Sequence, residues 1–262
     1  MFFRDQLNRE VEISKTPERI ISLVPSITEL LYDLGLSKQM VGQTIFCIHP
    51  QHHFKNSAKV GGTKKLQIDK IRLLKPELII GNKEENDKVQ IEQLMHEFPV
   101  WISDVNTFDE SISMINSLGE ITGSLNQSKV IINKILQQRL VFSNEKFSKK
   151  RVLYLIWREP YIAVGKNTFI DSMLNEAGFE NIITSERYPE IKESDFIKFQ
   201  PDFVFLSSEP YPFTQNHTVN INNLFNGDKC VLVDGELFSW YGSRMIKSFS
   251  YFKELQKQLQ KG

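Results

Sequence analysis

Ile71-Arg-Leu-Leu-Lys-Pro-Glu-Leu-Ile-Ile80 recurs in the second half of the chain as Phe196-Ile-Lys-Phe-Gln-Pro-Asp-Phe-Val-Phe205. In each copy an amphipathic stretch runs into a proline, then an acidic residue, then an unbroken apolar run. Proline ends a preceding helix, and it can open a strand because the first residue of a strand need not donate a hydrogen bond. The element reads as helix, proline, strand, and it is written twice.

Working outward, other segments recur in the same order at an offset of ~130 residues, far longer than a solenoid repeat. Arg19-Ile-Ile-Ser-Leu-Val24 corresponds to Arg151-Val-Leu-Tyr-Leu-Ile156, each an apolar strand opened by a basic residue. A helical stretch ending at glycine follows each one, Glu29 to Gly35 and Phe169 to Gly178. Pro99-Val-Trp-Ile-Ser-Asp104 then corresponds to Lys229-Cys-Val-Leu-Val-Asp234. Near-continuous apolar strands alternating with helices indicate parallel sheets covered on both faces. The expected fold is therefore α/β, with two Rossmann-like lobes built round central parallel sheets at residues 1–123 and 151–262. Between them, Ser124 to Lys150 lacks Gly and Pro and places Val130, Ile131, Ile135 and Leu140 at helical spacing. That predicts a single long backbone helix joining the lobes as a stiff strut, with a ligand cleft between the lobes. Ser243 to Gln260 reads as a closing amphipathic helix.

Composition excludes several classes of function. Lys plus Arg and Asp plus Glu are equal at 32 each, so no net charge points toward nucleic acid or an anionic membrane. No apolar run approaches the ~20 residues of a membrane helix. Cys47 and Cys230 lie in opposite halves and form no CxxC pair, so neither a disulfide framework nor a redox motif is expected. Met1 to Glu12 is charged and alternating, with no apolar signal segment and no lipid-attachment cysteine, so it reads as carrying no export address. Gly-x-Ser-x-Gly, a Walker loop, Gly-x-Gly-x-x-Gly and His-Glu-x-x-His are all missing. A binding module without catalytic residues or a cofactor explains the residues better than an enzyme.

In open α/β sheets ligands bind beyond the carboxyl ends of the strands, so the candidates are the residues that follow each strand. Pro25-Ser26-Ile27-Thr28-Glu29 comes first, with Ser26 and Glu29 in a capping-box pattern that puts a helix start and its positive dipole end at the strand mouth. Ile45 to His53 holds Cys47, His49, His52 and His53, a density of ligands that invites a metal. Pro50 breaks any single helix face there, and a clustered surface loop is favoured. Asn82, Glu84, Glu85 and Asp87 follow the Pro76 strand, and Glu209 follows its partner. Trp157, Arg158 and Tyr161 follow the Arg151 strand, and Trp240, Tyr241 and Arg244 follow the last. Aromatic rings beside arginine suit a pocket, since rings stack on a flat ligand while arginine clamps carboxylate or phosphate at two points.

Pro17-Glu-Arg-Ile-Ile-Ser-Leu-Val-Pro-Ser-Ile-Thr-Glu29, Gly61-Gly62-Thr63 and Leu74-Lys-Pro-Glu-Leu-Ile-Ile80 resemble the helical-backbone (class III) substrate-binding proteins of ABC importers. That family serves cobalamin, haem and ferric siderophores, and the likeness is strongest to its periplasmic cobalamin-binding members. The resemblance covers nearly the whole chain in the right order. It implies two lobes joined by one long helix, a ligand in the cleft and lobe tips that dock on a membrane permease through one acid per lobe. By position it implies ligand contacts at Phe46, Asn82, Trp157, Tyr188 and the Phe238–Arg244 loop. Lys88 and Ser194 fall at the docking points, so the docking candidates are the nearby Glu85, Asp87, Glu193 and Asp195.

The expected activity is reversible binding of cobalamin or a related corrinoid by a monomer that delivers it to an ABC permease. The alternative is the same fold holding haem or a ferric siderophore. Arg158, Arg187 and Arg244 are the only plausible clamps for an anionic siderophore, and Tyr161, Tyr188 and Tyr241 are candidate iron ligands for haem. A third reading is a divalent-metal receptor or metalloprotein built on Cys47, His49, His52 and His53. The family's members work outside the cytoplasmic membrane, free in the periplasm or lipid-anchored.

Overall fold

Both copies of the helix–proline–strand element are present in the computed structural model of the chain, which describes residues 1–225 and 228–260. The chain divides into two units. The first contains Met1–Val105, Asp109–Leu136 and Tyr241–Ile246, and the second contains Asn106–Phe108, Gln137–Trp240 and the residues from Lys247 onward.

The first unit opens with an antiparallel hairpin of β1 (Phe2–Arg4) and β2 (Glu10–Glu12). There follow β3 (Ile20–Ser22), α1 (Pro25–Asp33), β4 (Met40–Gln43), α2 (Gln51–Asn56), α3 (Ile68–Leu74), β5 (Leu78–Asn82), α4 (Lys88–Met95), β6 (Val100–Ser103) and α5 (Phe108–Ile121). The sheet runs β4-β3-β5-β6, parallel throughout. Every residue of β3, β5 and β6 is buried, as expected of strands covered on both faces. Ile21, Leu23, Ile71, Ile79, Ile91 and Ile102 pack together on one face. Each such side chain, taken out of water, contributes roughly 1.5–3 kcal/mol. Next comes α6 (Leu125–Ser143), whose residues up to Leu136 belong to the first unit and those from Gln137 to the second.

The second unit contains β7 (Lys150–Trp157), β8 (Tyr161–Ala163), α7 (Phe169–Glu176), β9 (Phe179–Asn181), β10 (Glu190–Ile191), α8 (Glu193–Phe199), β11 (Phe203–Ser207), α9 (Gln215–Asn222), β12 (Cys230–Val233), α10 (Gly235–Ser239) and, from Lys247, α11 (Met245–Gln260). β11 lies parallel to β7 on one edge and to β12 on the other, while β9 lies parallel to β7. The parallel strands therefore repeat the neighbour order of the first sheet, with β7, β9, β11 and β12 in the places of β3, β4, β5 and β6. One departure from a purely parallel sheet is the antiparallel addition of β8 to β7 and of β10 to β8. Only residues 158–160 separate β7 from β8, and a parallel return would need a crossover of a dozen residues or more. Alternation along β7 and β11 sorts the core. Leu153, Leu155, Val204 and Leu206 share one cluster. Phe205 meets Phe179 edge-on at 5.0 Å, and Phe238 meets Tyr154 edge-on at 5.4 Å and Phe205 at a tilt at 6.3 Å. Much of the phenylalanine content is core. No helix among the described residues is long and apolar enough to cross a membrane.

The two proline junctions are built alike. α3 ends at Lys75 with φ +46°, and α8 ends at Gln200 with φ +47°. Each cap N–H turns back to the third carbonyl before it, Arg72 at 3.0 Å and Ile197 at 3.2 Å. The following proline bars its predecessor from the right-handed helical region, and the left-handed well lets the chain turn into the sheet instead. A β-carbon makes that well unfavourable by roughly 1–2 kcal/mol. Lys75→Gly and Gln200→Gly are each expected to raise stability by about 0.5–1 kcal/mol, seen as a higher urea midpoint at unchanged slope. A lowered midpoint in both would show that these junctions carry no left-handed strain.

Candidate functional site

In the first unit, the loop after β3 enters α1 directly. Pro25 occupies the first helical turn, where its missing N–H is harmless, and the residue before it, Val24, is the N-cap with no side-chain cap. The capping box expected from Ser26 and Glu29 does not form. Proline's preset φ starts the helix before Ser26, which lies buried inside the first turn. Glu29 instead takes both arms of Arg244: Nε donates to Oε2 and Nη2 to Oε1, each at 2.7 Å. The two side chains are 10% and 9% exposed. Arg244, expected as an anion clamp, is thus the partner of a carboxylate 215 positions away.

Tyr241 is buried and donates its hydroxyl to Glu85 Oε1 at 3.0 Å. Burial, reinforced by the Glu85 charge, pushes its phenol well above the usual range. At the end of β5, Asn82 Nδ2 donates to Ser103 Oγ and O at 3.0 and 3.2 Å. Its Oδ1 accepts the backbone N–H groups of Glu84 and Glu85 at 2.8 and 3.0 Å. Asn82 therefore shapes the loop that carries the acids. Asp87 caps α4 by accepting from Gln90 N at 3.0 Å, while Glu84 is exposed. Phe46 is 54% exposed, between the similarly exposed Ile45 and Ile48. A β-carbon on Gly62 would come within 3.1 Å of its ring, so glycine lets the ring lie on the backbone.

The Cys47 to His53 stretch, read as a surface loop with a metal site as the third alternative, is only partly at the surface. Cys47 is fully buried, with the Thr28 and Thr44 hydroxyls each 3.1 Å from its sulfur. Desolvation pushes the thiol up to about 11, so it stays protonated at neutral pH. His53 lies flat on Tyr32 at 4.1 Å, in α2. Among the described residues no group of three or more His, Cys, Asp or Glu side chains could hold a metal ion. The loop turns its cysteine into the core, and the histidines follow on a separate short helix.

In the second unit, β7 delivers Trp157 to the surface, 40% exposed, with its ring edge-on to Tyr211 at 5.7 Å. Arg158 pairs with Glu159 at 3.4 Å. Tyr161 is buried in β8 against Phe196 at 5.1 Å, because the antiparallel return of β8 turns it into the core. Tyr188 is 38% exposed, with the Arg187 guanidinium 5.7 Å from its ring centre. Glu193 opens α8 at the surface. Asp195 accepts from Lys192 N at 3.3 Å and pairs with Lys198 at 2.9 Å, which holds its carboxyl below the usual range. Beyond β11 and β12 lies an open depression of about 610 Å³ lined by Ser208, Glu209, Leu232, Val233, Asp234 and Glu236. Glu209 Oε1 accepts from Ser239 Oγ at 2.5 Å and from the buried Trp240 Nε1 at 2.8 Å. Burial pushes the Glu209 carboxyl above the usual range, and Glu236 and Asp234 add to it. The sequence placed Glu209 at a strand end but held no sign that the Trp240 indole would be its partner.

A family model described as periplasmic binding protein matches residues 20–223, from β3 past α9. The chain belongs to the periplasmic binding protein family. Its curated relatives include an uncharacterized ABC transporter substrate-binding lipoprotein of Bacillus subtilis, 27% identical over 211 residues, covering 76% of this chain and 67% of that one. They also include the vitamin B12-binding protein of Pectobacterium atrosepticum, 24% identical over 200 residues, covering 72% and 71%. Among solved structures, the vitamin B12-binding protein of Vibrio cholerae superposes with TM-score 0.79 at 21% identity, covering 94% of this chain and 99% of that one. A molybdate periplasmic binding protein of Haemophilus influenzae superposes with TM-score 0.84 at 16% identity, covering 100% and 91%. The α/β two-lobe expectation is thereby borne out, as is the reading of a solute-binding protein of ABC-transporter type rather than an enzyme. Such proteins deliver small-molecule ligands to a membrane permease.

Two outcomes follow from the polar pairs. Arg244→Ala leaves Glu29 buried without its partner and is expected to cost about 3–5 kcal/mol. The apolar double variant Glu29→Leu with Arg244→Met should recover at least ~1 kcal/mol of that loss in urea unfolding. For Glu209, the raised carboxyl means that the folded state keeps its proton to higher pH than the unfolded chain does, so stability falls as pH rises between the two values. Glu209→Gln keeps an oxygen for Ser239 and Trp240 while removing the charge. It should unfold at a higher temperature than wild type at pH 7, with the gain gone below about pH 4. A gain that persisted at pH 3 would show that the desolvated charge is not its source.

Proposed function

We propose that this chain is the substrate-binding component of an ABC importer that binds cobalamin or a related corrinoid reversibly, as a monomer, and delivers it to its permease. The observation that carries the reading is what the strand-end loops leave outside. Polar groups there are largely engaged with one another, whereas Phe46 with Ile45 and Ile48 in the first unit, and Trp157 and Tyr188 in the second, stay exposed. Large apolar side chains past the carboxyl ends of β4 and β7, with Tyr188 just before β10, suit a wide, flat ligand with an apolar face. The vitamin B12-binding proteins among the relatives and solved structures support the corrinoid.

In this reading each unit carries candidate ligand contacts of its own. Pro25, Ser26 and Asn82 frame the first unit's share, and Arg158 and Glu209 supply polar contacts in the second. Docking on the permease runs through the carboxylates of Glu85, Asp87, Glu193 and Asp195. A second reading, haem, is favoured by one observation. Of the three candidate iron ligands, Tyr161 and Tyr241 are buried and Tyr188 is exposed, and a periplasmic haem-binding protein of Pseudomonas aeruginosa shares the fold with TM-score 0.78.

Calorimetric titration with cyanocobalamin, haemin and a ferric catecholate separates these readings. The expected result is one-to-one binding of cyanocobalamin at micromolar affinity or better, weakened at least ~10-fold in Trp157→Ala. Haemin binding that is lost in Tyr188→Phe, with no response to cyanocobalamin, would replace the corrinoid by haem.

A further inference from the structure

Tyr211 lies beside Trp157 and follows β11, yet it is not among the ligand contacts expected from the sequence. Its surroundings fix where its hydroxyl proton can go. α9 begins with a capping box in which Thr214 is the N-cap and His217 stands at the third helical position. The Thr214 backbone N–H donates to His217 Nδ1 at 2.8 Å. A backbone amide can only donate, so Nδ1 carries no proton, and the neutral ring holds its proton on Nε2. Nε2 lies 3.2 Å from the Tyr211 hydroxyl oxygen, so this contact is an Nε2–H donating to the phenol. His217 therefore takes the acceptor side of the phenol oxygen, and the Tyr211 O–H is left for an acceptor that His217 does not supply. The ring itself is fixed, edge-on to Phe213 at 4.8 Å and to Trp157 at 5.7 Å.

We propose that Tyr211 is a specificity-determining residue, donating its hydroxyl proton to a carboxylate or amide oxygen on the rim of the flat ligand whose face meets Trp157. His217 is its positioning residue: by keeping Nδ1 for the α9 cap, it presents only a donor to the phenol and turns the Tyr211 proton outward. Arg158, beside it, adds positive charge to the same edge. The second unit then reads a ligand in two ways, through its flat face by the Trp157 ring and through its oxygen-bearing rim by Tyr211. This inference rests on the ligand class proposed above.

The test is a double-mutant cycle on the full chain, read as dissociation constants for cyanocobalamin and haemin, with thermal unfolding as the check on folding. Tyr211→Phe keeps the ring against Phe213 and Trp157 and removes only the hydroxyl. It should weaken whichever probe the wild type binds by ~5–10-fold. His217→Gln keeps an oxygen for the Thr214 N–H but no longer forces the phenol to accept, and should weaken binding by ~2–5-fold. The double variant should bind no worse than Tyr211→Phe alone, because both changes remove one contact. Wild-type affinity in Tyr211→Phe, or losses that multiply in the double variant, would overturn the proposal while leaving the ligand class intact. Failure of the wild type to bind either probe would overturn the ligand class and this inference with it. Should Tyr211→Phe unfold, His217→Gln decides alone, and unchanged affinity there counts against the proposal.

Discussion

A parallel strand buried on both faces can leave its sheet only at the ends, and the proposed ligand contacts of this chain depend largely on the carboxyl-end exits. β3, β5 and β6 have no exposed residue, and β11 is buried from Val204 to Ser207. Their backbone groups pair in the ladder, and their side chains fill the core. The first residues free of both obligations are those just past the last ladder bond. Asn82, Trp157 and Glu209 all stand at or just beyond that point, which is why a fold-level constraint becomes a functional one.

Exit loops on such a sheet carry polar groups close to a dry core, and each needs a partner there. Asn82 folds its own loop, Glu29 takes Arg244, Glu85 takes Tyr241, and Glu209 takes Ser239 and Trp240. Once those pairs form, the surface left at the strand ends is largely ring and branched aliphatic. Keeping Phe46, Trp157 and Tyr188 in water has a cost that folding alone does not explain. A flat ligand would recover it. The same logic singles out Tyr211, whose oxygen is met by the His217 ring.

Much of the architecture was legible because it is written in local patterns. Pro76 and Pro201 marked both junctions, since proline's effect on its neighbours is steric and needs no distant partner. The apolar runs that became β3, β5, β7 and β11 owed their clarity to burial on both faces. The misreadings have equally local causes. Ser26 and Glu29 matched a capping box by spacing, but Pro25 had already started the helix. Cys47 was read with the three histidines as part of a surface loop, yet Thr28 and Thr44 enclose its sulfur in the core. The antiparallel β8 was hidden because the short segment after Trp157 carries no marker of the direction in which the chain returns.

The sequence by itself determined the alternation of strand and helix, the duplication of the plan, the places where helices stop and the strand ends at which a ligand can be met. Each of these follows from interactions within a few residues: hydrophobic period, proline sterics and the freedom of glycine. Only the tertiary structure decided which polar residue answers which. Glu29 and Arg244 are 215 positions apart, and Glu85 and Tyr241 are 156 apart. Nothing near either residue in the chain encodes such a pairing, because a hydrogen bond across a fold depends on coordinates that exist only after the sheets have assembled.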